Sequence, residues 1–198
     1  MARGSPSGTC GFSIVELMFA VAIAGTLTAI AVPQGLRALD DYRTAAAAHY
    51  LAQRLGAARL EAIKRSVFVG LQFEDSTPDY LITTVVDGNG NGLRSADIVK
   101  GIDRALTRPD TIGAHFSGVS LGILEGVPDA DGVPVSTGDG VRIGISKLLS
   151  MNPDGTSSSG TLYVHGTGRS QYAVRVLGAT GRIRAVKFDF TQHVWITP

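Results

Sequence analysis

The chain has 198 residues, with 18 Lys or Arg and 17 Asp or Glu, so its formal net charge is +1. This length suits one helical segment and one domain of ordinary size, and the near-zero charge points to no class of partner. Cys10 is the single cysteine, which excludes a disulfide within the chain.

Residues 12–32 form an apolar run that carries one charge, the carboxylate of Glu16. A helix over this run rises about 1.5 Å per residue and is long enough to cross a hydrocarbon core of about 30 Å. A carboxylate inside a membrane costs roughly 2.5 to 3.5 kcal/mol, so we expect Glu16 to have a function. One alternative for the apolar run is a secretory signal peptide cut after Ala31, but this would leave Glu16 unexplained. One alternative for Glu16 is an interfacial residue whose side chain simply reaches the lipid headgroups.

The stretch GFSIVEL resembles the type IV prepilin signature, and Gly11, Phe12 and Glu16 occupy its defining positions. The resemblance implies that a prepilin peptidase cuts between Gly11 and Phe12, removes residues 1–11 as a leader and methylates the new amino terminus. It also implies that the apolar run stays as a single-pass anchor in the inner membrane, with the rest of the chain in the periplasm. Glu16 would then neutralise the cationic amino group of Phe12 on its own or a neighbouring subunit and set the register of stacked subunits.

Residues 33–66 are rich in Ala, Leu, Arg, Gln and Glu, which favours an amphipathic helix that continues the apolar run. Pro33 is expected to kink or interrupt the helix where the chain leaves the membrane, because proline cannot donate to the helical ladder. The predicted apolar stripe of this helix consists of Leu51, Leu55, Ala58, Ala62 and Ile63.

Residues 67–198 are rich in β-branched residues and glycines, which predicts a β-rich domain. Together with the preceding helix, this gives an α+β fold in which one long helix packs on an antiparallel sheet. The predicted strands are residues 67–73, 80–86, 141–147, 161–166, 171–178 and 182–190.

The loop DGNGNGLRSAD, residues 87–97, has the alternating oxygen ligands of an EF-hand at Asp87, Asn89 and Asn91. The glutamate expected at the twelfth position is Ile98, and Asp97 could substitute only one place early. The sequence therefore favours a turn between strands and leaves a calcium site as the alternative. No other metal and no organic cofactor is expected.

Charge is distributed unevenly along the chain. Residues 74–139 hold eleven acids and four bases, whereas residues 155–188 hold no acid. Arg182 and Arg184 are two apart in a predicted strand and so project from the same face, where their planar guanidinium groups could bind phosphates or carboxylates equally well. The candidate DNA-binding residues of this block are Arg169, Arg175, Arg182, Arg184 and Lys187.

The four histidines lie in different segments and no nucleophile or metal-protease motif occurs, so the sequence predicts no enzyme. The stretches MNPDG at residues 151–155 and GRIR at residues 181–184 resemble the GspH and FimT group of pseudopilins and minor pilins. Loss of Cys10 with the leader would leave no disulfide loop of the kind many major pilins carry, which favours a minor subunit.

Two functions follow from the resemblance. One is a minor pilin or pseudopilin that assembles with other subunits into a type II secretion pseudopilus or a type IV pilus. The alternative is a FimT-like minor pilin that binds DNA for uptake in natural transformation, with Arg182 and Arg184 in the arginine positions of its G-R-x-R stretch. The implied partners are other pilin or pseudopilin subunits, prepilin peptidase, the inner membrane and, in the second case, DNA.

Overall fold

The computed structural model describes residues 13–77, 79–135 and 138–197. The predicted leader, with Cys10 and Gly11, lies outside the described residues, as does Phe12. The chain divides into two units with the boundary between Ala38 and Leu39, and each unit is described by itself below.

The first unit contains the start of the long helix α1 (Ile14–Arg65). Ser13 precedes this helix, and its side-chain oxygen accepts a hydrogen bond from the backbone N–H of Val15 at 3.3 Å, as an N-cap residue does. The hydroxyls of Thr26 and Thr28 donate to carbonyls one turn earlier, so these polar groups are satisfied within the helix. Among the described residues, this one helix is long and apolar enough to cross a membrane, and its apolar segment is not buried in protein.

The predicted long helix is confirmed, since α1 continues through Pro33 to Arg65 and is not interrupted at this residue. Proline lacks the N–H that would bond the carbonyl four residues earlier, so it removes one bond from the ladder. Helix-forming residues on both sides keep the remaining bonds of the ladder, and the single loss does not end the helix.

In the second unit, α1 packs one face against the domain. The predicted residues Leu51, Leu55, Ala58 and Ala62 are buried, whereas Ile63 is 44% exposed and does not belong to the buried stripe. Successive residues are rotated by about 100° around a helix, which carries Ile63 away from the face that contains Ala62. The full buried set is Thr44, Ala47, Ala48, Leu51, Leu55, Ala58 and Ala62.

The described residues of the second unit also form two antiparallel sheets and two short helices, and the predicted α+β fold is confirmed. The first sheet has the order β3-β2-β1-β6 and consists of β1 (Val69–Ser76), β2 (Asp79–Val86), β3 (Arg104–Ala105) and β6 (Leu148–Met151). The second sheet has the order β10-β9-β8-β7-β4, with β5 also paired to β7, and consists of β4 (Ser120–Leu121), β5 (Val141–Arg142), β7 (Gly160–His165), β8 (Gln171–Leu177), β9 (Arg182–Asp189) and β10 (Val194–Ile196). The short helices are α2 (Ser95–Val99) and α3 (Ile112–His115).

The second sheet carries a core on each face. Tyr172, Val174 and Val176 of β8 belong to the core that also contains the buried side chains of α1. Ala173, which alternates with them, belongs to a smaller core together with Tyr163 and Phe188. We call the side of this sheet that carries the smaller core its outer face.

Two adjacent carboxylates of α1 hold the turn between β7 and β8. Asp40 accepts hydrogen bonds from the backbone N–H groups of Thr167 at 2.9 Å and Gly168 at 3.1 Å. Asp41 accepts a bond from the hydroxyl of Ser170 at 2.9 Å. These bonds fix the start of β8 against the helix, because each satisfies a donor that the turn would otherwise expose.

Candidate nucleic-acid interface

The hairpin of β8 and β9 brings three of the predicted basic residues onto the outer face. Arg175 lies directly opposite Arg184, and Leu177 lies directly opposite Arg182. Residues that are opposite each other in an antiparallel pair point to the same side, as do residues two apart in one strand. Arg175, Arg182 and Arg184 therefore share one surface.

A fourth arginine, which the sequence did not single out, extends this surface across the sheet. Arg142 of β5 lies opposite Thr161 of β7, and Thr161 lies opposite Arg175. With strands about 4.8 Å apart, the backbone positions of Arg142 and Arg184 are separated by three strand spacings, or about 14 Å. We call Arg142, Arg175, Arg184 and Arg182 the arginine row.

Two members of the arginine row are paired with an acidic segment of the same domain. Arg175 Nη2 lies 2.6 Å from Asp131 Oδ1, and Arg175 Nη1 donates to the carbonyl of Ala130 at 3.1 Å. Arg142 Nη1 lies 3.8 Å from Asp129 Oδ2. The acid-rich and acid-free stretches of the sequence thus fold against each other, and their charges partly cancel.

Arg182 and Arg184 differ from these two arginines. Both side chains are exposed, and neither has an ion-pair partner within the described chain. An exposed guanidinium that no carboxylate neutralises keeps its donors available to an external anion. These two residues are the accessible end of the arginine row.

The turn before Arg182 is held by α1. Arg59 Nε donates to the carbonyl of Gly155 at 2.8 Å, and its Nη2 donates to the carbonyl of Thr180 at 3.1 Å. Gly181 has a φ of +59°, and a Cβ atom there would overlap the Gly155 oxygen and lie 2.8 Å from Arg59 Nε. The turns of MNPDG and GRIR therefore meet at one point, where Arg59 positions the strand that carries the exposed arginines.

Lys187 does not belong to the same surface. It alternates with Arg184 along β9 and faces α1, where its Nζ lies 2.8 Å from Asp41 Oδ2 and 5.5 Å from the ring centre of Tyr172. Burial lowers the pKa of Lys187, but the hydrogen bond to Asp41 and the interactions with Tyr172 and the Asp41 charge together outweigh burial and raise the pKa above its usual value. Burial likewise raises the pKa of Asp41, but hydrogen bonds from Lys187 and Ser170 leave it below its usual value.

Arg169 is also separate from the arginine row. It lies in the turn before β8, and its guanidinium stands 5.7 Å from the ring centre of Phe190. Along β8 alone, the four residue steps from Gln171 to Arg175 span about 13 Å. Strand alternation and chain direction therefore divide the five candidate residues among three places, the outer face, the contact with α1 and the turn before β8.

The carboxylates of the calcium-like loop, residues 87–97, accept hydrogen bonds from other groups of the same loop. Asp87 accepts hydrogen bonds from the backbone N–H groups of Asn89, Gly90 and Gly92, and Asp97 accepts one from the side-chain amide of Asn91. Burial raises the pKa of Asp87, but these backbone donors outweigh it and hold the pKa below its usual value. Residues 13–77, 79–135 and 138–197 contain no group of three or more His, Cys, Asp or Glu placed to hold a metal ion.

Glu16 lies in the first turn of α1 and is exposed. A carboxylate at this position interacts favourably with the positive end of the helix dipole. Its predicted partner, the amino group of Phe12, lies outside the described residues.

The residues that sequence reasoning missed have weak local signals. Arg142 stands in a predicted strand, but its place in the arginine row depends on the pairing of β5 with β7. Asp129 and Asp131 belong to the acid-rich stretch, where nothing marks them as partners of arginines. Arg59 lies 122 positions before Gly181, so no local pattern connects them.

Comparison with known proteins gives one partial relative. The chain is 40% identical over 85 residues to the pilin-like protein PilA1 of Thermus thermophilus, over 41% of this chain and 50% of that protein. The chain thus spans about half the length of this relative. No family model and no solved structure matches the chain. The partial match, together with the long apolar helix and the antiparallel sheets, supports a type IV pilin-like protein.

Proposed function

We propose that the chain is a minor subunit of a type IV pilus or a type II secretion pseudopilus. The observation that carries this proposal is the apolar part of α1, where every large apolar side chain from Ile14 to Val32 is at least 52% exposed. Such a surface requires a membrane or other apolar helices around it. The similarity to a pilin-like protein supports packing against the apolar helices of other subunits in an assembled filament. It also suggests a structural, non-enzymatic subunit.

In this proposal the chain has four functional segments. Residues 1–11 are the leader, residues 12–32 anchor the subunit in the inner membrane, residues 33–66 continue the helix, and residues 67–198 form the periplasmic domain. Prepilin peptidase cuts before Phe12, which leaves a cationic amino terminus four residues before Glu16 in the sequence. In apolar surroundings the two charges stabilise each other strongly, so Glu16 selects the axial position of a neighbouring subunit.

Replacement of Glu16 by Ala tests this proposal. Membrane insertion and leader cleavage should stay normal, since removal of a carboxylate makes insertion easier, but recovery of the protein in sheared filaments should fall. The matched control is Glu61→Ala, which removes a half-buried carboxylate, paired with Arg65, from the periplasmic part of the same helix. Intact-mass analysis follows cleavage between Gly11 and Phe12.

Normal filament recovery of the Glu16 variant would contradict the assigned role. A purified chain that still begins at Met1, or that begins at Val32, would contradict the prepilin leader itself. The first result would contradict only the proposed role of Glu16 in assembly and would not affect the proposal that the apolar helix is a membrane anchor. The second would favour a signal peptide.

A second candidate function is DNA binding by a FimT-like minor pilin. The observation that favours it is the exposure of Arg182 and Arg184 on one face without an ion-pair partner in the described chain. Each guanidinium can donate two parallel hydrogen bonds to a phosphate, and a pair on one strand can contact two phosphates. Binding of this kind is independent of sequence and sensitive to salt.

Replacement of both arginines by Ala should weaken DNA binding by the full chain in neutral detergent. With two phosphate contacts, the parent should show a log–log salt slope of about −1.8, which should flatten towards zero in the double variant. Arg104→Ala, an exposed arginine on β3 at the edge of the other sheet, is the control and should change little. Equal binding by the parent and the double variant would favour contacts between these arginines and carboxylates of neighbouring subunits.

A further inference from the structure

The arginine row is half covered by acids from its own chain, which sets a limit on what it can bind. We call Asp129 and Asp131 the acidic cap. We infer that the acidic cap competes with phosphate groups for Arg142 and Arg175. It thereby restricts anion binding to the accessible end of the arginine row, Arg182 and Arg184. This inference rests on the proposed DNA binding and assigns Arg142 and Arg175 as latent contacts for a phosphodiester polyanion.

The acidic cap is fixed in place by the smaller core. Trp195 Nε1 donates to the carbonyl of Asp129 at 2.9 Å, and the Tyr163 hydroxyl accepts from the N–H of Ala130 at 2.9 Å. Asp129 Oδ1 also accepts from the N–H of Val133 at 2.8 Å. The backbone of the cap therefore does not need to move, and the competition takes place between side-chain carboxylates and external phosphates.

The pair between Arg175 and Asp131 is open to such competition. The Asp131 side chain is 70% exposed and that of Arg175 is 34% exposed, so water and salt reach both charges. Exposed ion pairs of this kind contribute little to stability, and an external anion can replace one partner. The bond from Arg175 to the Ala130 carbonyl remains after the carboxylate is lost and keeps the guanidinium on the outer face.

Asparagine substitutions remove the competing charge with little change in shape. The assay measures binding of the full chain, in neutral detergent, to a fluorescent double-stranded DNA fragment between about 50 and 200 mM salt. With two contacts the parent should lose affinity about 12-fold over this range, and Asp131→Asn, with three contacts, about 40-fold. The double variant Asp129→Asn/Asp131→Asn, with four contacts, should lose affinity about 150-fold and bind most tightly at the lowest salt.

Two controls separate the acidic cap from a general change in charge. Glu61→Gln releases Arg65 from a comparable pair at 2.5 Å on α1 and should leave the salt slope of the parent unchanged. Adding Arg175→Gln to Asp131→Asn should return the slope to that of the parent. Near-UV circular dichroism verifies that each variant keeps its packed core, which is expected because Asp131 is largely exposed.

The outcomes distinguish this inference from the proposed function. Equal slopes for the parent and the Asp129/Asp131 double variant would overturn the role of the acidic cap, whatever the affinity of the parent. A slope that steepens as much with Glu61→Gln would overturn it as well. If the proposed DNA binding by Arg182 and Arg184 is wrong, the parent and the variant with both arginines replaced by Ala should instead bind DNA equally.

Discussion

Replacement of Gly181 by Ala tests how α1 positions the exposed arginines. Gly181 has a φ of +59°, and an added Cβ would overlap the carbonyl oxygen of Gly155 and lie 2.8 Å from Arg59 Nε. Both neighbours are parts of one hydrogen bond, so the methyl group can be accommodated only if this bond opens. Gly101→Ala is the matched control, because Gly101 has a φ of +72° and an added Cβ there meets nothing within 4 Å.

The two variants share one cost and differ in another. A left-handed conformation costs a non-glycine residue roughly 1 to 2 kcal/mol, which applies to both positions. At Gly181 the charged hydrogen bond from Arg59 is lost in addition, which costs about 1.5 to 3 kcal/mol. For a chain of this size each kcal/mol lowers the melting temperature by about 2 to 4 °C, so Gly181→Ala should melt about 3 to 12 °C below Gly101→Ala.

Thermal unfolding of the full chain in neutral detergent, followed by fluorescence of the single tryptophan, measures this difference. Trp195 reports on the sheet that carries the hairpin, since its ring centre lies 5.2 Å from that of Phe188 on β9. Equal melting temperatures for the two variants would show that crowding at Gly181 contributes nothing. The assigned role of Arg59 would then be refuted.

Two further predictions concern the contact between α1 and the domain. Leu55→Ala should destabilise the domain by about 2 to 5 kcal/mol because Leu55 is fully buried, whereas Leu60→Ala, at a position 70% exposed, should stay within about 0.5 kcal/mol in the same assay. Asp41→Asn should reduce stability at neutral pH, and the deficit should shrink as the pH falls below 3.8, since the lowered pKa of Asp41 means that its contribution disappears on protonation. The deficit should also shrink above pH 10.5, where Lys187, whose pKa is raised, loses its proton. A deficit that is independent of pH would refute the ion pair as its source.

Much of the fold is encoded locally. The long helix follows from a run of good helix formers, and β8 and β9 follow from β-branched residues between glycine-rich turns. The strand β6, with the sequence LLSM, was missed because four residues are too few to show alternation. Strand order also stays hidden, since β6 pairs with β1 across more than 70 positions and no local pattern records that choice.

The candidate site divides in the same way. That Arg182 and Arg184 share a face follows from the period of a strand and could be predicted. The pair of Lys187 and Asp41 joins residues 146 positions apart, and the pair of Arg175 and Asp131 joins residues 44 positions apart. Neither pair could be predicted from a local pattern. Net charge of a segment therefore overstated the basic surface, because folding brought acids from elsewhere against part of it.

The bonds that α1 makes at Asp41 and at Arg59 have a mechanical consequence. Between these residues the helix rises about 27 Å, and residues 170–178, which contain β8, extend about 26 Å. The chain is thus bonded to the helix on both sides of β8, at Ser170 and at Thr180. A pull along this part of the helix loads both fastenings together in shear, whereas a strand fastened at one end would peel away bond by bond. A chain built in this way can carry tension along its helix without letting its sheet detach first.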